Sequence, residues 1–431
     1  MEVKAYKYKD AREDCVSEWY GRRYLGREGL AMEETLTYQS ISDFADARKR
    51  RVSEDGGKTW SDWEIAYDSK APIMTQGDHV MDPSFGYGGT IWNPVHKHYV
   101  TIKNQYIWIG GYDNANYYLW QKGDNRYLAS HAFIEVADEN KQEKYSEMIR
   151  YQDGAEFDPD DWAKPEYAFR NYALAFTPQI LDDSGDLFIA MEVPMRHCCE
   201  MLGRDILDYY PHDPDYPNGM LIMRGIWDGE KYNFTHGTPI VISDRFSSRG
   251  LSEACVAKLE SGRIVVIMRG SNAKMPWKKQ YFEPGTPGFK WYSWSDDNGE
   301  TFTECMPWRF DDGEIIYSSA TFSRIFKDER TGKHYWIGNI TDHKVKGNYP
   351  RFPLNIVEID EKYGTAKKES LTVIDTRREG EPETVQLSNF DLLFNRETEK
   401  LEIRLAKLGQ FDNDKQLFKS EAWTYEIDVE A

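Results

Sequence analysis

Cysteine is scarce and scattered: Cys15, Cys198, Cys199, Cys255 and Cys305 make five, an odd count with no CxxC pair. That excludes a disulfide framework and a structural zinc knuckle, and reads as reduced thiols. Long apolar runs are missing too. No stretch approaches the roughly 18 residues of a membrane span, and the opening MEVKAYKYKDAREDC lacks the apolar core of a secretory leader. The expectation is a cytoplasmic protein, or one from which a leader was trimmed. Positive charge is in deficit, with 54 Lys and Arg against 73 Asp and Glu and a formal net charge of −19. Such a field opposes nucleic acid and anionic membrane surfaces as partners, although a few Arg in a pocket override it locally for a small anion. No His/Cys/Asp cluster has metal-ligand spacing, so no metal or other cofactor is expected. Nothing in the sequence sets the oligomeric state.

What is present is β-rich. The 431 residues are 40% hydrophobic and 14% aromatic, enough for one or two sizeable cores, and the aromatics also suit stacking on sugar rings. Strand-like stretches recur at 98–111, 186–194, 262–270, 333–340 and 400–408. Turn signals such as Asp182-Asp183-Ser184-Gly185, Glu260-Ser261-Gly262, Asp311-Asp312-Gly313 and Thr331-Gly332-Lys333 favour hairpins, hence an all-β antiparallel architecture. Residues 10–50 and 137–150 have room for short helices or irregular extensions. His96 and His98 flank a hairpin turn and are expected on the surface.

One motif repeats. Ser53-x-Asp55-x-Gly57-x-Thr59-Trp60 returns as Ser295-x-Asp297-x-Gly299-x-Thr301-Phe302, each within strand-like sequence, and Trp227–Phe234 is a looser relative. The spacing suits a tight hairpin in which Asp caps turn amides, Gly takes positive φ and the aromatic packs beneath. It resembles the Asp box of the sialidase superfamily. That resemblance implies a sialidase-like β-propeller, six-bladed given repeats of roughly 40–50 residues, as a single domain over 1–431 with an irregular N-terminal extension over 1–45. The turns identify the fold and carry no chemistry, so function must come from the axial face.

Two further segments resemble the same family. Gly250–Arg263 followed by Ile267–Ser271 matches a stretch in which a Glu precedes a strand and the next strand ends in Arg, and Ile316–Ala320 matches the segment bearing a tyrosine nucleophile. The resemblance implies that Tyr317 attacks the anomeric carbon, Glu253 takes its proton and Arg269 binds the substrate carboxylate bidentately. A phenol with a pKa near 10 needs such a base. The family's Arg-Ile-Pro motif is absent, its third arginine is unplaced, and Lys290 stands where an Arg is expected. Arg249, His197 and Arg170 are further candidates for substrate binding, and Asp43, Asp46 and His79 for acid/base work. The reading is an exo-acting glycoside hydrolase releasing a terminal, acidic sugar from oligosaccharides. Two alternatives stand beside it: a uronate lyase using His and Tyr, and a carbohydrate-binding propeller without catalysis.

Overall fold

The computed structural model describes residues 1–42, 45–68, 74–82, 89–110, 128–176, 178–212, 214–273, 284–411 and 416–430. Its strands form six antiparallel sheets, arranged as the blades of a propeller. Blade I comprises Ser17–Tyr24, Met32–Gln39, Ala47–Ser53 and Glu64–Asp68. Blade II comprises Thr90–Asn93, His98–Trp108, Leu128–Ala137 and Glu143–Met148. An extra hairpin, Met74–Gln76 and His79–Asp82, pairs with the end of its second strand. Blades III, IV and V span Ile180–His236, Ser252–Pro307 and Arg324–Asp375. Blade VI takes Phe390–Asn395, Lys400–Ala406 and Ala422–Asp428 from the end of the chain and its fourth strand, Glu2–Lys9, from the beginning. The ladder from Glu2↔Asp428 to Lys9↔Ala422 closes the ring.

Alternation decides how the blades pack. On the second strand of blade III, Leu187, Ile189, Met191 and Val193 join Val100, Ile102 and Ile134 of blade II, whereas Phe188 and Ala190 join Val256, Val266 and Met268 of blade IV. Both faces are covered, so central strands read as continuous apolar runs. Each such buried side chain contributes roughly 1.5–3 kcal/mol. The seam between blades VI and I is different. Buried Glu34 accepts from Arg22 Nε at 2.8 Å, Arg404 Nη1 at 3.2 Å and Tyr8 Oη at 3.2 Å, and Arg51 pairs with it as well.

The three repeated turns share their place, each joining the third strand of a blade to the fourth, and the first two share their geometry. Asp55 Oδ1 accepts from the Lys58 and Thr59 amides at 3.0 and 2.8 Å, and Gly57 N–H donates to Ser53 Oγ at 2.8 Å. Asp297 and Ser295 repeat this toward Thr301 and Gly299 at 2.9 and 2.8 Å. Asp228 caps Glu230 and Lys231 in the looser copy. Gly57 and Gly299 sit at φ +87° and +88°, where a Cβ is disfavoured.

Three expectations need correction. Residues 1–45 are no irregular extension: they hold the closing strand of blade VI and the first two strands of blade I. Their charged, alternating sequence hid them, because their neighbours across the seam are ionic rather than apolar. Residues 143–148 likewise form the edge strand of blade II. His98 is fully buried, bonded through Nε2 to Tyr232 Oη at 2.8 Å.

Candidate functional site

Strand direction alternates within each blade, so the Asp turns lie on one face while the starts of the inner strands and the second-to-third strand loops converge on the other. Two open clefts on the Asp-turn side, about 600 and 300 Å³, are lined by Lys258, Arg263 and Asp296 and by Trp294, Asp297 and Phe302. Charges there are spent on one another, Arg263 on Asp296 and Lys258 on Asp182. The opposite, axial mouth is where charges are arranged differently.

Glu253 enters the inner strand of blade IV through a β-bulge. Ser252 faces Arg269 and Cys255 faces Ile267, so Glu253 and Ala254 together oppose Met268. Glu253 sits at φ +46°, a left-handed conformation that a non-glycine residue adopts at a cost, and the bulge re-aims its side chain. Both carboxylate oxygens accept from Arg269 Nη1 at 2.8 Å. The backbone N–H of Glu253 donates to Glu192 Oε1 at 2.6 Å. Glu192 lies near the end of the second strand of blade III, and Asn218 Nδ2 reaches its other oxygen at 3.4 Å.

The two carboxyls are driven apart. Burial pushes Glu192 up to about 8, and the charge of Glu253 adds to this against the hydrogen bond from Glu253 N–H. Burial acts on Glu253 in the same sense, but Arg269, Lys290 and Arg351 outweigh it and hold the group below the usual carboxylate range. At neutral pH, therefore, a protonated acid lies beside an ionised one. Lys290 faces Arg269 in the ladder, is fully buried and donates Nζ to Thr321 O. Burial and the charge of Arg269 bring it down to about 7.

Arg324 opens the inner strand of blade V. Its Nε is buried without a hydrogen-bond partner, and among the described residues its guanidinium makes no hydrogen bond or ion pair. It lies over the Phe322 ring at 5.0 Å and senses the charge of Asp391, at the start of the inner strand of blade VI. Burial pushes Arg324 down and Asp391 up. A buried Nε–H without a partner is costly unless an anion completes the guanidinium.

Of the residues singled out in the sequence, Glu253 and Arg269 come together. Tyr317 does not join them through a hydrogen bond among the described residues: Arg269 occupies the Glu253 carboxylate. Tyr317 lies in the loop between blades IV and V, bridged by backbone to Phe289 and Thr341, with its ring stacked on Phe289 at 5.9 Å. Arg249 lies over the Tyr216 ring at 5.7 Å in the loop preceding Glu253. His197 sits on the short helix Met195–Met201, its Nδ1 3.0 Å from Tyr151 Oη, which donates to Tyr172 O at 2.6 Å. Burial and the charges of Arg170 and Arg196 lower His197 to about 4, so its imidazole is neutral. Arg170 itself is exposed. His79 Nδ1 accepts from Gly110 N–H at 3.0 Å, Asp46 takes a 3.1 Å bond from Ser40 Oγ, and Asp43 lies outside the described residues. Sequence reading missed Glu192 and Arg324. Each had a signal, a lone charge inside an apolar β run: DLFIAMEVP and FSRIF.

No protein-family model and no curated protein sequence matches the chain. Solved structures do. A Dyadobacter fermentans protein of unknown function is 11% identical with a TM-score of 0.55, over 98% of this chain and 99% of the other. Trypanosoma rangeli sialidase bound to the inhibitor DANA is 12% identical with a TM-score of 0.54, over 99% of this chain and 59% of that larger protein. The NanB sialidase of Streptococcus pneumoniae is 10% identical with a TM-score of 0.53, over 98% and 70%. At such identities the likeness speaks for the fold, and by fold the chain is a divergent sialidase-like six-bladed β-propeller.

Proposed function

We propose that the protein is an exo-acting glycoside hydrolase that takes a terminal acidic sugar from an oligosaccharide at the axial mouth of blades III to VI. The observation that carries this reading is the unpartnered Arg324 guanidinium, set in the same mouth as the Glu253–Arg269 pair and Lys290. A carboxylate supplied by the sugar would satisfy Arg324, and the planar guanidinium suits bidentate contact. The bulge presents Glu253 as an ionised base, and Tyr317 supplies the nucleophile that the family resemblance assigns. The test is turnover of aryl sialosides and uronosides by the wild type, Glu253→Gln and Tyr317→Phe. Loss in both variants supports attack by tyrosine. Loss in Glu253→Gln alone places the attack on water activated by Glu253.

A second reading is favoured by one specific arrangement. Neutral His197, oriented by Tyr151 and lying near Arg170, has the parts of a base that removes the proton α to a uronate carboxylate. Such a lyase would leave an ultraviolet-absorbing unsaturated product, which hydrolysis does not.

A further inference from the structure

We propose that Glu192 is the positioning residue of the site: it clamps Glu253 into its bulged, left-handed conformation and thereby aims the Glu253 carboxylate into the mouth. This rests on the reading of that mouth as a working site. The geometry is a chain of fixed points. Glu192 is held as a rigid post, since its backbone N–H and C=O pair with Leu174 O and N–H at 2.9 and 3.0 Å. Its side chain crosses from blade III to blade IV and accepts the Glu253 amide at 2.6 Å. That amide is diverted from the strand ladder by the bulge, and buried donors require a partner. Asn218 steadies the second oxygen at 3.4 Å, while the Asn218 carbonyl receives the Leu251 amide at 2.8 Å, so the segment entering Glu253 is tied to blade III at both points.

The charged groups acting on Glu192 are Glu253 and Arg269. As a neutral acid, Glu192 accepts the amide without drawing Arg269 away from Glu253. An ionised Glu192 would compete for that guanidinium, and a hydrocarbon side chain would leave the strained amide unbonded. Gln preserves both the acceptor oxygen and the neutrality, which makes Glu192→Gln the conservative variant and Glu192→Ala the disruptive one.

The experiment combines kinetics with a readout that needs no turnover. Glu192→Ala is expected to lose about 100-fold in kcat with KM within about 3-fold, because the reacting group is misplaced while the anion contacts remain. Glu192→Gln is expected to restore kcat to within about 3-fold of the wild type. Crystal structures of both variants should show Glu253 leaving the left-handed region in Glu192→Ala and keeping it in Glu192→Gln. An unchanged Glu253 backbone in Glu192→Ala, or a fall in kcat that Gln does not rescue, would overturn the clamp. If the wild type turns over no acidic glycoside, the proposed hydrolase falls, yet the crystallographic comparison still decides whether Glu192 holds Glu253.

Discussion

Arg324 is proposed as a functional residue on the ground of what it costs the fold. Its Nε–H, buried with no partner among the described residues on a half-buried side chain, should destabilise the fold. Arg324→Met is therefore expected to raise the thermal midpoint while weakening binding of a sugar acid at least 10-fold, measured by scanning calorimetry and titration calorimetry on the same sample. A lower midpoint would instead mark Arg324 as structural. Glu192 and Lys290 give a pH signature of opposite signs. Glu192 is raised to about 8, so its contribution to stability is present below pH about 4 and lost as pH rises to about 8. Lys290 is lowered to about 7, so its contribution is present above its unfolded pKa near 10 and lost as pH falls toward about 7. Between them they predict a stability minimum between pH about 7 and 8. In Glu192→Gln the decline from pH about 4 to about 8 should flatten, read from urea midpoints across pH. At this scale the family resemblance picked out Glu253 and Arg269, and the fold brings the two side chains together, because a bulge and its partner strand keep a fixed spacing. Glu192 and Arg324 meet the site only through the packing of blades III and V against blade IV, which no local spacing in the sequence encodes.

Elements were legible in proportion to how apolar their surroundings are. The stretches 98–111, 186–194, 262–270, 333–340 and 400–408 contain the second strands of blades II to VI, His98–Trp108, Leu187–Pro194, Ile264–Arg269, His334–Asn339 and Lys400–Ala406, buried between neighbouring blades. Strands on the ionic seam, Glu2–Lys9 and Met32–Gln39, were passed over for the opposite reason. The seam makes its own prediction. Removing Glu34 leaves Arg22, Arg51 and Arg404 without their shared carboxylate, so Glu34→Ala should cost about 3–5 kcal/mol, measured by denaturant unfolding. A loss below about 1 kcal/mol would show that water replaces it. The Asp turns are held largely by their own hydrogen bonds, which is why eight residues of sequence sufficed to recognise them.

Across the whole molecule, a net charge of −19 surrounds an axial mouth around which Arg269, Arg324 and Arg351 are grouped. The wide field repels anions while the local cations hold them, so added salt should ease the approach of an acidic glycan more than it weakens the buried contacts. This mouth is proposed to recognise and cleave a terminal acidic sugar. The measurement that tests it most directly is release of aglycone from matched aryl sialosides, aryl uronosides and neutral aryl glycosides by the wild type and Arg324→Met. Release from an acidic class alone, abolished in Arg324→Met, is expected. Release from neutral glycosides, or acidic release that Arg324→Met leaves intact, would contradict it.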